Sequence, residues 1–392
     1  MAQPNLLPPD KDEAAYPAIQ RFVEVLEAVR KRHPDADRVA YDRLVNHALE
    51  GMLAGLDPHS SFIHPEMAAK MKEAPEMNPE IPSLGITLGL RDDGCYIAAV
   101  APGGAAAEAG VLPGSALLEI DGNSTVGIDF KNLLDALERP AGTVTRMKLK
   151  SPAEPKPDEV SLTHRLVEER SVVESRIANK EKGIGYLRLA SFGSACASET
   201  EAALDELEDG GMKSLMLDLR CNGGGDLGET VKILGLWLPP STEVVTTRGR
   251  EGDVVESLKT PDRQRRKRDY PIVVLIDRMS ASASELTAGA LQDLKRAKVV
   301  GETSYGKGSV QNIIPMGGGT ALRLTIATYH TPSGSTPHRK GITPDVSVEI
   351  SEQDRASFQK RCRIDSLPAE ERKQVEAWKD PVLMAAEKLL DP

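Results

Sequence analysis

Helical spacing of apolar residues marks the start of the chain. Over about residues 16–55 such residues recur at intervals of three and four: Phe22, Val25, Leu26 and Val29, then Leu44, Val45, Ala48 and Leu49. This spacing predicts two amphipathic helices, with a break at 34–37. A third helical patch covers 66–72 and ends in a proline-rich segment. Two or three helices alone bury too little apolar surface to form a domain. We therefore expect this N-terminal segment, residues 1–79, to pack on a neighbour or on another subunit.

The apolar period changes to two from Leu84 onward. The pattern predicts strands at 85–88, 96–100, 117–120 and 144–149, a turn at 92–94, and helices at 105–109 and 130–137. The proline-rich stretch 151–157 predicts a linker and a domain boundary.

This order of elements, over residues 80–150, resembles a PDZ domain. The matching residues are Leu84-Gly85-Ile86, Pro102 to Ala106, Ala109-Gly110 and Leu117 to Gly122. The resemblance implies that Leu84, Gly85 and Ile86 bind a peptide. Consecutive backbone N–H groups would hold its terminal carboxylate, and the strand edge would pair with its chain. A small β-rich domain without a peptide partner is the alternative.

The third part of the chain alternates strand and helix patterns. Strands are predicted at 185–189, 215–219 and 272–276, and helices at 199–207, from Leu227, and at 286–294. This alternation indicates an α/β core. Residues beyond about 351 are charged and helical.

Ser282 stands between a predicted buried strand and a predicted helix. A serine there lies at the positive end of the helix dipole, where a developing anion is stabilised. The same residue begins Ser282-x-x-Glu285, which also fits a capping box. The local pattern alone leaves a nucleophile and a helix cap both open.

The segment around Lys307 resembles a phosphate-binding loop in part. Gly301-x4-Gly306-Lys307 matches, but the next residue, Gly308, lacks the hydroxyl that would hold magnesium, and 310–315 has a strand pattern. A nucleotide-dependent enzyme is therefore a weak alternative. Lys307 and Gln311, four residues apart, share a face of a strand or a helix.

A triple glycine, 223–225, follows another predicted strand. Its N–H groups could bond an oxyanion, because glycine permits close backbone approach. As an isolated feature it could equally be a flexible turn.

Together these segments resemble the carboxyl-terminal processing (tail-specific) serine proteases. The matches run in order from about residue 45 to 350: Leu56 to Phe62, Asp218-Leu219-Arg220-x-Asn222-x-Gly224-Gly225, Ser280 to Glu285, Ala288 to Asp293, Gly306 to Gln311, Tyr329-His330-Thr331-Pro332-x-Gly334 and Gly341 to Asp345.

The resemblance implies a role for five residues. Ser282 would be the nucleophile, Lys307 its general base and Gln311 the residue that orients the lysine, while the N–H groups of Gly225 and Ala283 would form the oxyanion hole. The lysine must be uncharged when it accepts the serine proton. One departure from the family pattern is Cys221, which puts a thiol close to the site and which we interpret as structural.

The fold expected is α+β and multidomain. It comprises an N-terminal helical segment (1–79), a PDZ domain (80–150), an α/β protease core of the ClpP/crotonase-like type (151–350) and a C-terminal helical segment (351–392). The function implied is a serine endopeptidase that works through an acyl-enzyme on proteins recognised by their C-terminal tails. A non-catalytic, tail-binding scaffold of the same fold is the alternative.

Composition and charge limit the classes of partner that the protein can have. The net charge of −10 disfavours nucleic acid, despite a local basic run at 263–268 that we interpret as a solvated loop or, less favourably, a docking patch. No apolar run is long enough to span a membrane. The four cysteines form no CxxC pair. His59 and His64 lie near Asp57 in the sequence, but no third ligand with convincing spacing follows them. We therefore expect no metal and no organic cofactor.

Further expectations concern a histidine-based triad, the cellular setting and the partners. A Ser-His-Asp triad completed by His330 or His338 is unnecessary if Lys307 is the base. The resemblance implies a periplasmic or otherwise extracytoplasmic enzyme, with its signal peptide absent from this chain, although a cytoplasmic setting stays open. It also implies self-association through the terminal helices into a homo-oligomer, and an activator or adaptor protein as a further partner.

Overall fold

The computed structural model describes residues 12–57, 59–68, 82–91, 94–101, 103–112, 114–128, 130–151, 156–166, 170–362, 364, 367 and 369–391. Its helices are α1 (Asp12–Arg32), α2 (Tyr41–Ala54), α3 (Ala105–Glu108), α4 (Phe130–Leu137), α5 (Cys196–Asp209), α6 (Leu227–Leu234), α7 (Ala283–Asp293), α8 (Glu352–Arg361), α9 (Ala369–Ala377) and α10 (Pro381–Leu390). Its strands are β1 (Ser61–Ile63), β2 (Ile86–Arg91), β3 (Gly94–Val100), β4 (Ala116–Ile120), β5 (Asn123–Ser124), β6 (Val144–Lys150), β7 (Asp158–Thr163), β8 (Val172–Asn179), β9 (Ile184–Leu189), β10 (Ser214–Asp218), β11 (Glu243–Arg248), β12 (Val254–Lys259), β13 (Ile272–Ile276), β14 (Ala297–Gly301), β15 (Ser309–Pro315), β16 (Ala321–His330) and β17 (Val346–Ser347).

The chain divides into two compact units. The first contains residues 1–73 and 311–325, and the second contains 74–310 and 326–392. This division groups residues by their contacts, and each unit combines separate stretches of the chain. It therefore does not test the boundaries of the four predicted segments, which stay a prediction.

The first unit contains α1, α2 and β1. The two helices are separated, as the spacing predicts, by a single 3₁₀ turn over Ala36–Arg38. β1 pairs antiparallel with the first residues of β16, with Ser61 opposite Arg323. Asp57 closes the turn before β1 by accepting from the N–H groups of His59 (2.8 Å) and Ser60 (2.9 Å). Part of the predicted third helical patch, 69–72, lies outside the described residues.

The sheet of the predicted PDZ domain lies in the second unit and has the strand order β2-β3-β4-β6-β7, with β5 paired to β4. Its inward side chains form one core with α3 and α4, which includes Ile97, Leu133, Met147 and Leu162. β2 is an end strand of this sheet, so one of its edges has no partner within the sheet. β7 follows the predicted linker, most of which (152–155) lies outside the described residues, and pairs with β6 along its whole length.

The second sheet of this unit has the order β17-β14-β13-β10-β9-β8. Every pair in it is parallel except β8–β9. Alternate residues of the buried strands face opposite layers: Val274 packs with α5, α6 and α7, whereas Val273 packs with α10. Helices therefore cover both faces, as expected of a parallel sheet. The predicted α/β core is confirmed.

The carboxyl ends of β10 and β13 carry the segments that the motifs single out. Because the two strands are adjacent and parallel, with Asp218 opposite Leu275, their following loops leave the same edge of the sheet. The loop after β10 leads to the triple glycine, and the loop after β13 leads to Ser282.

The basic run at 263–268 lies against the acidic face of α5. Arg265 pairs with Glu201 at 2.7 Å. Arg268, whose side chain is only 1% exposed, pairs with Asp205 (2.8 Å) and Glu208 (2.7 Å). These ion pairs join the segment to α5, while the side chains of Arg265, Arg266 and Lys267 stay 50–80% exposed. The two interpretations of the run, a solvated loop and a docking patch, stay predictions.

The described ranges contain no helix that is long and apolar enough to cross a membrane. They also contain no group of three or more His, Cys, Asp and Glu side chains arranged to hold a metal ion.

Candidate active site

Ser282 lies at the junction of β13 and α7 in an unusual backbone conformation. Its φ is 55° and its ψ is −114°. A non-glycine residue adopts such angles only when its surroundings force it to, at a cost of about 1–3 kcal/mol. The residues after it begin α7, which is buried at every position from Ala283 to Leu291. The fold therefore holds a half-buried serine in a strained backbone conformation at the N-terminus of a buried helix.

Asp277 holds the turn that precedes Ser282. One carboxylate oxygen, Oδ1, accepts from the N–H groups of Met279 (2.9 Å), Ser280 (3.1 Å) and Cys221 (3.0 Å). The Ser280 hydroxyl donates to the Leu219 carbonyl at 2.8 Å. The loop after β10 and the loop after β13 are thus bonded directly to each other.

Glu285 joins the serine segment to the lysine segment. It is fully buried. Its Oε2 accepts from the N–H groups of Ser282 (2.8 Å) and Lys307 (2.8 Å). Its Oε1 accepts from the Ser304 hydroxyl (2.6 Å) and the Gly306 N–H (2.7 Å). Four donors on one carboxylate satisfy a charge that would otherwise be costly to bury.

The Lys307 segment is held from its other side as well. The Gly306 carbonyl accepts from the Arg339 N–H at 2.8 Å, and the Gly308 carbonyl accepts from the Tyr329 N–H at 2.7 Å. Lys307 itself is half-buried. Gln311 belongs to the first unit, where its amide donates to the Thr325 hydroxyl at 3.2 Å.

Asn222 ties the glycine loop to the serine turn. Its carbonyl accepts from the Ala281 N–H (3.0 Å) and the Ser284 hydroxyl (2.8 Å), and its side-chain oxygen accepts from the Gly224 N–H (2.9 Å). The fully buried Asn222 amide also donates to the Leu189 carbonyl at 2.9 Å. The Asn222 side chain thereby fixes the glycine loop against the sheet, and its backbone carbonyl fixes the same loop against the Ser282 turn.

Gly224 packs directly on Ser282. Its φ is +104°, and a Cβ on it would lie 2.8 Å from the Ser282 Cβ and 2.8 Å from the Ala281 carbonyl oxygen. No side chain fits there. The structure therefore brings the predicted nucleophile and the triple glycine into contact.

The two predicted oxyanion donors flank this contact. Gly225 follows Gly224 and forms a parallel bridge with Phe192. Ala283 is the first residue of α7, and the first N–H groups of a helix have no acceptor within it. Both residues are adjacent in sequence to the Gly224–Ser282 contact.

Cys221 has the features of a structural residue. Its backbone has a φ of 57°, and its thiol donates to Asp277 Oδ2 at 3.4 Å. Burial, reinforced by the negative charge of Asp277, raises the pKa of this thiol well above its usual range. A thiol held in its protonated form is a poor nucleophile.

The predicted carboxylate-binding loop of the PDZ domain is also tightly built. Gly85 has a φ of +73°, and a Cβ on it would lie 2.8 Å from the Gly104 Cα. The Leu84 carbonyl accepts from the Ala106 N–H (3.0 Å), and the Gly85 carbonyl accepts from the Ala101 N–H (2.8 Å). Ile86 begins β2, the end strand of the sheet. The loop thus leads into a strand edge that can pair with an added peptide.

Sequence reasoning missed two residues of this site. Glu285 was interpreted only through its capping pattern, although it also accepts from the Lys307 segment 22 residues away. Asp277 has no role in the sequence-based predictions. A signal was present: Asp277-x-x-Ser280 is a turn pattern in which a carboxylate bonds following N–H groups.

Comparisons with known proteins agree with this architecture. The model of peptidase family S41 matches residues 183–348, and a PDZ-domain model matches residues 96–151. A carboxy-terminal-processing protease of Bartonella bacilliformis is 36% identical over 349 residues, which are 87% of this chain and 77% of that protein. A carboxyl-terminal-processing protease of Synechocystis is 34% identical over 316 residues, 79% of this chain and 72% of that protein.

A solved structure matches along almost the same length. The photosystem II D1 C-terminal processing protease superimposes with a TM-score of 0.65 at 26% identity, covering 90% of this chain and 98% of that one. The fold and these matches define a serine protease that carries a PDZ domain. Within that class, the chain belongs to the carboxy-terminal-processing proteases of peptidase family S41. The predicted family, fold class and enzyme class are confirmed.

The contact between Gly224 and Ser282 gives a testable prediction. Gly224→Ala forces a side chain against Ser282 at an unfavourable φ, so we expect it to lower the free energy of unfolding by about 2–4 kcal/mol and to impair cleavage of a disordered protein. Gly223→Ala is the matched control, because a Cβ there meets nothing within 4 Å. Urea denaturation and a cleavage assay check both, and equal behaviour of the two variants would contradict the packing described.

Proposed function

We propose that this chain is a serine endopeptidase with a Ser282–Lys307 dyad, acting on proteins that its PDZ domain binds by their C-terminal tails. The observation that carries the proposal is the Glu285 carboxylate, which accepts from the backbone of both dyad residues. The contact of Gly224 with Ser282 supports it independently.

The reaction proceeds in two stages. The Ser282 hydroxyl attacks the scissile carbonyl as its proton passes to the uncharged amine of Lys307. The N–H groups of Gly225 and Ala283 stabilise the tetrahedral oxyanion, helped by the positive end of α7. The lysine then gives its proton to the leaving amine, which departs and leaves an ester on Ser282. Water then attacks that ester as its proton passes to Lys307, and the lysine returns this proton to the Ser282 oxygen as the ester bond breaks and the acid product leaves.

Gln311 orients the lysine amine in this proposal. A neutral amide can bond that amine without adding a negative charge, which would favour its protonated form. The role is carried over from the family pattern.

Removing either dyad residue tests the assignment. We expect Ser282→Ala and Lys307→Ala each to lower the rate of cleavage of a disordered protein by a factor on the order of 10³ or more, since a nucleophile and its base act as one unit. Mass spectrometry of the products measures the rate. Ser198→Ala and Lys259→Ala, at surface positions outside the site, are matched controls that should cleave at the parent rate.

The outcomes separate the rival functions. If either dyad variant cleaves at the parent rate, the assignment fails. If the parent protein binds tails but cleaves nothing, the scaffold alternative is favoured. Measurable affinity for ATP with magnesium by calorimetry would favour the nucleotide-dependent alternative.

Tail recognition requires a free carboxylate on the bound peptide. Hydrogen bonds to a charged group contribute about 1.5–3 kcal/mol, so amidation of the peptide's C-terminus should weaken binding about 10- to 100-fold. Calorimetry with the Ser282→Ala protein, which leaves the peptide intact, measures this. Equal affinity for the acid and the amide would reject carboxylate recognition at the loop Leu84-Gly85-Ile86.

A homo-oligomer joined through the terminal helices is part of the proposal. Five apolar side chains of α1 are 47–79% exposed: Tyr16, Ile19, Phe22, Val23 and Val25. An exposed apolar surface of this kind favours association with a partner. We expect Phe22→Glu to lower the sedimentation coefficient to that of a smaller species, and Arg21→Glu on the same helix to leave it unchanged. A parent protein that sediments as a monomer would contradict the proposal.

The cellular setting and any activator follow from the family resemblance. We place the enzyme in the periplasm or another extracytoplasmic space, acting on protein substrates and responding to an activator or adaptor protein. Fractionation of the source cells tests the first of these.

A further inference from the structure

A buried ionic cluster lies at the start of the glycine loop. Arg220 donates four hydrogen bonds to Asp218: its backbone N–H to Oδ1 (2.9 Å), its Nε to Oδ1 (3.0 Å) and to Oδ2 (3.1 Å), and its Nη2 to Oδ2 (2.6 Å). Its Nη1 forms an ion pair with Asp380 Oδ2 at 2.9 Å. The three side chains are 0–7% exposed. The proposed reaction uses none of them.

Asp380 belongs to the C-terminal segment, far from the glycine loop in sequence. It caps α10, because its Oδ1 also accepts from the N–H groups of Val382 (2.9 Å) and Leu383 (3.3 Å). A second C-terminal helix, α8, holds the same guanidinium: Arg220 lies over the ring of Phe358, 3.8 Å from its centroid. The C-terminal helices therefore hold Arg220 on two sides.

The loop that Arg220 begins is short and leads to the proposed oxyanion donor. Cys221 follows at once with a positive φ, and Gly225 stands five residues after Arg220. A displacement of Arg220 would reach the glycine loop through Asn222, which stands two residues later and whose side-chain oxygen accepts from the Gly224 N–H at 2.9 Å.

A second contact joins the C-terminal segment to the lysine segment. Arg355 of α8 pairs in bidentate fashion with Glu302, at 2.5 and 2.6 Å. Glu302 follows β14 and stands five residues before Lys307, and its N–H donates to the Ile276 carbonyl at 3.1 Å. The C-terminal helices thus hold the starts of two of the three loops that form the site.

We propose that the C-terminal helices position the oxyanion loop, and that Asp380, acting through Arg220, is the positioning residue. This inference rests on the proposed function, since it concerns the same site. An oxyanion donor acts only at the correct distance, and the loss of one such donor lowers kcat by about 10²–10³-fold. A displaced donor weakens stabilisation of the transition state without weakening substrate binding.

Asp380→Asn tests the proposal in the full chain, because it removes the charge but keeps an N-cap side chain. We expect kcat to fall about tenfold or more with KM within twofold of the parent value, and affinity for a peptide boronate, which mimics the tetrahedral intermediate, to fall by the same factor. Amide hydrogen exchange over 219–226 should become faster. Asp391→Asn is the matched control, since it removes an exposed ion pair with Lys182 from the end of the same helix.

The exchange measurement keeps this inference separate from the proposed function. Faster exchange over 219–226 in Asp380→Asn alone supports positioning, even if the parent proves to have no protease activity. Unchanged exchange in that segment overturns the inference, as does a kcat within twofold of the parent.

A second variant covers the case in which Asp380→Asn does not fold. Phe358→Leu keeps an apolar side chain under the guanidinium and leaves the ion pair intact. It should shift kcat and exchange in the same direction by a smaller factor, and parent values for both would count against the proposal.

Discussion

The site depends on one buried carboxylate. Glu285 stands three residues after Ser282 on α7 and accepts hydrogen bonds from the serine turn and from the segment of Lys307. A buried charge must be satisfied on both oxygens, so the two segments cannot separate without leaving it unpaired. The requirement acts on the backbone N–H groups, so it fixes the path of the chain at Ser282 and Lys307 independently of their side chains. Asp277 and Asn222 do the same for the glycine loop.

Much of the fold could be predicted from local pattern. The strand at 272–276 and the helix at 130–137 match the structure residue for residue, because the first is a continuous apolar run and the second has a clear helical period. The strands that the pattern missed, among them β7, β8, β14 and β16, are stabilised by pairing with other strands, which the local pattern of apolar residues does not record. β7 shows this most clearly, since it follows a proline-rich stretch that signals a boundary and yet joins the PDZ sheet.

The sequence motifs predict which residues belong to the candidate site, but not the hydrogen bonds that hold these residues together. Motifs singled out Ser282, Lys307 and the triple glycine, and the structure places Gly224 against Ser282. The choice between a helix cap and a nucleophile could not be made from Ser282-x-x-Glu285, and the structure explains why. The Glu285 carboxylate bonds the Ser282 N–H as a capping residue does, while also bonding the lysine segment. No spacing rule links residues 285 and 307.

The burial of α7 has a consequence for the field at its first turn. All nine residues from Ala283 to Leu291 are inaccessible to water, so neither solvent nor dissolved ions can approach the helix along that length. A helix on the surface loses much of its dipole field to the surrounding dielectric and to salt. Here the peptide dipoles remain unscreened, and their combined potential is directed at the serine as a permanent property of the folded chain.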